Sequence, residues 1–137
     1  MKLIAAQFGK TFLRAVPEER FYENLSQLRS ICSDRAILRA AHYYADNARV
    51  EKEIEALEKK DFVQFLQLVR DSGRSSGQLL QNLYSTKKPA EQGIPLALMV
   101  SERILKNEGA FRVHGGGFAG TMQAFVPENL VDTYVEE

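Results

Sequence analysis

The chain has 137 residues, of which 45% are hydrophobic, and its basic and acidic side chains balance at a net charge of zero. This length predicts one domain spanning residues 1–137 with a buried core. Without a basic excess or a long apolar run, the sequence is not typical of a nucleic-acid-binding or membrane protein. The single cysteine, Cys32, excludes a disulfide framework and favours a reducing, cytoplasmic setting.

The first half of the chain predicts three helices. Residues 1–8 form a short helix that ends at Gly9. Pro17 opens a second helix, whose predicted buried residues are Phe21, Leu25 and Leu28.

The third helix is the longest predicted element. Ser33 or Asp34 caps it, and it runs to about Lys60, a length of roughly 38 Å at the α-helical rise. Its apolar residues recur at helical spacing along this whole length. The predicted buried face consists of Ile37, Ala41, Tyr44, Ala48, Val50, Ile54 and Leu57.

Three more helices are predicted before the glycine-rich region. Asp61 caps a fourth helix that ends at Gly73, and a short fifth helix follows near residues 79–84. The sixth helix begins at Pro89, or after Gly93 if Pro95 lies in its first turn. The residues predicted to face inward from the fourth helix are Phe62, Phe65, Leu66 and Val69.

Two strands near the end of the chain flank four glycines. The strands are predicted at Phe111–His114 and Met122–Val126, and a last helix covers 128–137. Helices in series followed by a strand pair indicate an α+β fold with a small antiparallel sheet.

The loop between the two strands is the candidate functional site. It contains Gly115, Gly116, Gly117, Phe118, Ala119 and Gly120. Glycine permits a positive φ and close approach of the backbone to another group, so the loop could expose amides to an anion or simply close a hairpin. Both readings remain open from the residues alone. A dinucleotide motif is excluded, because no helix follows Gly120.

The other reactive residue types have simpler structural interpretations. His42 and His114 have no second ligand at metal spacing, so both are expected to be structural. Ser75 and Ser76 are expected to cap a helix, and Arg74 to be solvated. No nucleophile–base pair or paired carboxylates emerge, so the sequence predicts neither catalytic nor metal-binding residues.

The segment from Arg112 to Thr121 resembles the C-terminal glycine motif of galactokinases, in the GHMP kinase superfamily. Further segments agree in the same order along the chain, each weak alone. They are Arg35–His42 with Asn47–Val50, Ala56–Phe62, Asp71–Ser76, and Tyr84–Lys88 continuing to Ser101–Leu105. The resemblance covers nearly the whole chain, although Ala119 stands where the family commonly has glycine.

This resemblance implies a GHMP-kinase C-terminal-like domain that forms part of a larger kinase. In such enzymes the glycine motif lies beside the nucleotide phosphates, and the domain closes one side of the cleft that holds ATP and galactose. The resemblance implies ATP and Mg²⁺ as cofactors of the full-length kinase. An alternative is a non-catalytic regulatory or interaction module that kept the kinase shape.

Several expectations about partners follow from the resemblance. The sugar signature, the phosphate loop and the catalytic aspartate of the family lie in an N-terminal lobe, which is the expected partner of this chain. The isolated chain is therefore expected to be inactive and to hold no cofactor tightly. An incomplete sheet would leave an unpaired strand edge, which predicts a homo-oligomer.

Overall fold

The computed structural model describes residues 1–118 and 120–136, which form an α+β fold. Two strands, β1 (Ala110–His114) and β2 (Thr121–Phe125), pair as an antiparallel hairpin. The α-helices within these residues are α1 (Lys2–Gln7), α2 (Glu18–Glu23), α3 (Leu25–Ile31), α4 (Asp34–Glu58), α5 (Phe62–Ser75), α6 (Gly93–Leu105) and α7 (Val131–Glu136).

The N-terminal core forms where α1 to α3 pack against the first half of α4. The Phe21 and Tyr44 rings lie 5.3 Å apart between centroids. The Tyr44 hydroxyl donates to the Val16 carbonyl at 2.9 Å, and burial raises the pKa of Tyr44 to about 12. The buried cluster consists of Ile4, Ala5, Leu13, Val16, Phe21, Leu28, Ala40 and Tyr44.

The predicted caps of the two long helices are confirmed. The Ser33 hydroxyl accepts from the Ala36 amide at 3.3 Å, and the Asp61 carboxylate accepts from the Gln64 amide at 3.0 Å. Each cap satisfies an amide that has no partner within its helix. The long helix α4 therefore begins and ends within two residues of its predicted bounds.

The buried face predicted for α4 is wrong from Ala48 onward, since Ala48 is exposed. Val50, Ile54 and Leu57 recur at helical spacing, but between 47% and 52% of each is exposed. Phe62, predicted to face inward from α5, is 62% exposed. Within the described residues, no element covers these side chains, so periodicity identified a real apolar stripe that this chain leaves open.

Two other helix predictions need correction. The second predicted helix is two helices, because Asn24 lies outside the helical region at φ −103° and ψ 14°. The last predicted helix begins as a 3₁₀ turn at Glu128–Leu130 before α7, and Glu137 lies outside the described residues.

The α5 helix does not end at Gly73, contrary to the prediction. It passes through Gly73 to Ser75 and continues into a π-helical turn, Ser76–Leu80, in place of the predicted fifth helix. Gly73 lies within the helix because α5 approaches β1 closely at this position. A Cβ on Gly73 would lie 3.1 Å from the Phe111 carbonyl oxygen. A close helix–strand contact therefore explains this glycine better than a helix end.

The sixth helix begins at Gly93, which is the second of the two predicted starts. Pro95 is the third residue of α6, where a missing N–H costs no helical hydrogen bond. No helix of the described chain is long and apolar enough to cross a membrane.

The β-hairpin is confirmed to within one residue at each strand end. Its register pairs Ala110 with Phe125 and His114 with Thr121, so both ends of the glycine loop start from a paired position. Phe125 also packs edge to face on Phe65 of α5, with ring centroids 5.3 Å apart. The hairpin is thereby fixed to the helical layer, and its loop projects from a rigid base.

Candidate functional site

The glycine loop turns through backbone conformations that side chains rarely adopt. Gly115 and Gly117 have φ values of +64° and +73°, and Phe118 has φ +57°. The Gly120 amide donates to the Gly117 carbonyl at 3.1 Å, which closes the second half of the turn. Ala119, a predicted site residue, lies outside the described residues.

Phe118 anchors the loop through its backbone and not through its ring. The Phe118 ring is not inserted into the core, since Phe118 is 42% exposed. Instead, its amide donates to the main-chain carbonyl of Asn82 at 2.7 Å. Asn82 is 2% exposed, so the middle of the glycine loop is tied to a buried residue that follows the π-helical turn.

The glycines differ in what the fold requires of them. A Cβ on Gly117 would lie 2.2 Å from the Asn82 carbonyl oxygen, so only glycine fits. Gly116 has no positive φ, and a Cβ there would meet nothing within 4 Å. Its amide forms no hydrogen bond within residues 1–118 and 120–136. The described residues therefore give no structural reason for a glycine at position 116.

A polar cluster lies behind the hairpin, where α4, α5 and β1 meet. Asp46 is its centre: the carboxylate accepts from Arg49 at 2.7 Å and from the Ser72 hydroxyl, and it lies 4.0 Å from the Arg112 guanidinium. His42 contacts the same carboxylate at 3.8 Å. The cluster joins the long helix to the strand that carries the glycine loop.

His42 is buried, with 6% of the residue exposed. Its Nδ1 lies 2.8 Å from the Ser75 hydroxyl, so Ser75 belongs to this cluster and the prediction that it caps a helix is wrong. Ser76 is also buried and opens the π-helical turn, with no side-chain cap bond. The two serines thus continue α5 instead of starting a new helix.

Burial lowers the pKa of His42 below its usual 6.5. The nearby Asp46 carboxylate opposes this effect, while Arg49 and Arg112 add to it. The neutral ring is therefore the form that the folded state favours.

This lowered pKa predicts a pH dependence of stability. Between the lowered folded value and 6.5, the unfolded chain binds more protons at His42, so the free energy of unfolding should rise with pH across that window. Glu53 makes the opposite contribution to the pH dependence of stability, because burial raises its pKa. Urea denaturation at a series of pH values should show a shallower rise for His42→Gln than for the parent. If the free energy of unfolding rises with pH equally in His42→Gln and the parent, the pH dependence does not come from His42.

Three further residues are singled out in the sequence, and of these Arg74 is expected to be solvated. Cys32 is partly buried, and Arg74 is largely exposed beside Asp71 at 3.2 Å. His114 is exposed at the end of β1. Within the described residues, no three metal-ligating side chains converge on one point.

Sequence reasoning missed Asn82. A lone asparagine after a leucine pair carries no recognisable signal, and its contact with the loop spans 34 positions of the chain. The left-handed conformation of the preceding Gln81, at φ 57° and ψ 49°, turns the chain toward the hairpin. Neither feature follows from local residue preference.

The chain is similar to named galactokinases, although no family model matches it. It is 34% identical over 125 residues to a galactokinase of Actinobacillus pleuropneumoniae, covering 91% of this chain and 30% of that protein. The galactokinase of Glaesserella parasuis is 33% identical over 129 residues, covering 93% and 32%. That of Haemophilus influenzae is 29% identical over 126 residues, covering 92% and 31%.

The structure confirms the predicted α+β fold with a small antiparallel sheet, and these similarities are consistent with a GHMP-kinase C-terminal-like domain. Within that class, the resemblance to galactokinases is confirmed over more than nine tenths of the chain. The chain spans about 30% of the length of the galactokinases that it matches.

Proposed function

We propose that this chain, as one domain, is the C-terminal part of a galactokinase-like sugar kinase that phosphorylates galactose with ATP. In this proposal the domain closes one side of the substrate cleft and brings the glycine loop to the nucleotide phosphates. The observation that carries the proposal is the open Gly116, a glycine that the described fold does not need. The similarity of the chain to galactokinases supplies the reaction class.

The geometry of the loop supports a contact with phosphate. Successive backbone amides in a glycine turn form a concave site that favours anions. The Phe118 and Gly120 amides are already bonded to Asn82 and Gly117, so the segment from Gly115 to Gly117 is the part that can face a ligand. With no side chain at Gly116, a phosphate oxygen could approach the backbone directly.

The chain's contribution to the reaction is positioning and electrostatic support. Phosphoryl transfer depends mainly on holding the phosphates and neutralising their charge as they react. The described residues fit the phosphate part of ATP at the loop, but they provide no cluster for Mg²⁺. Following the resemblance to galactokinases, we propose that the metal, the catalytic base and the sugar contacts lie on the N-terminal lobe, the proposed partner of this chain.

The exposed apolar stripe of Val50, Ile54 and Leu57, together with the exposed Phe62, supports a partner of this kind. Contiguous exposed apolar side chains usually mark a surface that another protein segment covers. We propose that the remainder of the kinase covers it. In the isolated chain, the same stripe and the unpaired strand edges would favour self-association.

The proposal predicts that the isolated chain is inactive and that a chimera is active. The chimera carries this chain in place of the matching 125 residues of the Actinobacillus pleuropneumoniae galactokinase. We expect no galactose phosphorylation from the chain alone, because a loop without its opposing lobe leaves the nucleotide in water. We expect ATP-dependent phosphorylation from the chimera.

The parent galactokinase and a version lacking the matched segment are the controls. A chimera that folds cooperatively but phosphorylates no sugar would contradict the kinase role and favour a non-catalytic module. Robust phosphorylation by the isolated chain would contradict the proposed division between two lobes.

A further inference from the structure

We infer that Asn82 is a positioning residue that holds the glycine loop in its phosphate-facing conformation. The inference rests on the proposed function and adds a residue from outside the loop to it. Asn82 follows Gln81, the residue that ends the π-helical turn and whose amide donates to the Ser76 carbonyl at 2.8 Å. Asn82 itself is 2% exposed.

Asn82 contacts three consecutive residues of the glycine loop. Its main-chain carbonyl accepts from the Phe118 amide at 2.7 Å, and its side-chain Nδ2 lies 3.5 Å from the Gly116 carbonyl oxygen. Between these contacts, Gly117 packs so closely that a Cβ would lie 2.8 Å from Asn82 Cγ. We call these three contacts the Asn82 clamp.

The clamp determines which part of the loop projects. The loop leaves β1 at His114 and returns to β2 at Thr121, which are paired with each other. The clamp fixes the middle of the loop at Phe118. Between His114 and the closely packed Gly117 lies a short segment, Gly115 and Gly116, with open space at both Cβ positions. Within this segment, the Gly116 carbonyl is the group that contacts Asn82. Asn82 therefore sets the direction in which the free Gly116 amide points.

The polar chemistry of Asn82 is not explained by packing alone. Its Oδ1 is buried and has no hydrogen-bond partner within residues 1–118 and 120–136. A buried amide oxygen without a partner is unfavourable for folding. Retaining an asparagine there is consistent with the use of its Nδ2 on the loop, since an apolar residue of similar size would fill the space without that cost.

The inference can be tested first in the 137-residue chain itself. Asn82→Ala removes the side-chain contact but keeps the main-chain bond to Phe118, and Asn107→Ala changes an exposed asparagine of the α6–β1 turn as a matched control. By NMR, we expect Asn82→Ala to shift the Gly115 to Gly117 amide resonances and to speed exchange of the Phe118 amide about tenfold relative to the buried Ala40. Unchanged resonances and exchange would overturn the inference.

The second test measures the consequence for the reaction in the chimera described above. We expect Asn82→Ala to reduce kcat/KM for ATP roughly 10- to 100-fold, with the KM for galactose unchanged, because misplaced phosphate contacts affect one substrate. Asn82→Asp keeps the shape of the side chain but not the Nδ2 donor, so it should not restore kcat/KM for ATP. Asn107→Ala should have the same kcat/KM for ATP as the parent. Equal losses for both substrates, accounted for by the folded fraction, would show a merely structural role and overturn the inference.

The two proposals fail in different ways. An inactive but folded parent chimera contradicts the kinase role, while the exchange measurement still reports whether Asn82 holds the loop. An active chimera that is indifferent to Asn82→Ala contradicts the positioning role alone.

Discussion

Gly117→Val should lower the free energy of unfolding by about 2–4 kcal/mol, one of the largest effects of a single glycine substitution in this chain. Two costs add at this position. Valine is strained at the observed φ of +73°, and its Cβ would lie 2.2 Å from the Asn82 carbonyl oxygen, a backbone atom that cannot move without displacing the π-helical turn.

Urea denaturation of Gly117→Val and Gly116→Val measures this difference directly. Gly116 lies one residue away, has no positive φ and has open space around its Cβ position. Its variant should stay within about 0.5 kcal/mol of the parent, as surface substitutions usually do. Similar losses in both variants would mean that the loop is not docked on Asn82 in solution.

Asp46→Ala should destabilise the chain by about 2–4 kcal/mol, because it removes the shared acceptor of the polar cluster. The Arg49 and Arg112 side chains, 16% and 24% exposed, would be left close together without their carboxylate. The Ser72 hydroxyl would also lose its acceptor. Because the cluster joins α4 to α5 and β1, the loss should appear in global unfolding.

Asp46→Asn is the matched control for this prediction. It keeps the size of the side chain and an oxygen that can accept from Ser72, but it removes the charge. Thermal or urea unfolding should place it between the parent and Asp46→Ala. If both variants unfold like the parent, the ion pairs of the cluster contribute nothing measurable to the free energy of unfolding. Many solvent-exposed ion pairs behave in that way.

The parts of the fold that depend on local chemistry could be predicted from the sequence. The caps at Ser33 and Asp61 and the periodicity of α4 defined its two ends, and alternating residues on both sides of the glycines defined the hairpin. These signals act within a few residues, so the sequence displays them directly.

The parts that depend on tertiary contacts could not be predicted. Gly73 reads as a helix end, but it allows α5 to approach β1. Ser75 reads as a cap, but its hydroxyl lies 2.8 Å from a histidine 33 positions earlier. Ile54 belongs to an apolar stripe, and periodicity cannot say whether the covering element is in the same chain.

The candidate site could likewise be predicted only where it depends on local sequence. The glycine motif indicated the loop and, through resemblance, its class of function. It could not rank the glycines, since the requirement at Gly117 comes from Asn82 and the freedom at Gly116 comes from the absence of a described neighbour. The structure therefore separates two positions of this motif: we expect Gly117 to be needed for folding, and we propose Gly116 as the position that faces a ligand.

The most direct test of the proposed role of the loop is a kinetic comparison in the chimera. Gly116→Val is compared with Gly93→Val, since Gly93 also has no positive φ and no neighbour within 4 Å of its Cβ position but lies at the start of α6. After correction for folded fraction, we predict that Gly116→Val reduces kcat/KM for ATP roughly 100-fold, because a side chain there blocks the approach of phosphate, and that Gly93→Val leaves it unchanged. Full activity of Gly116→Val would contradict the account, since the loop would then be only a hairpin.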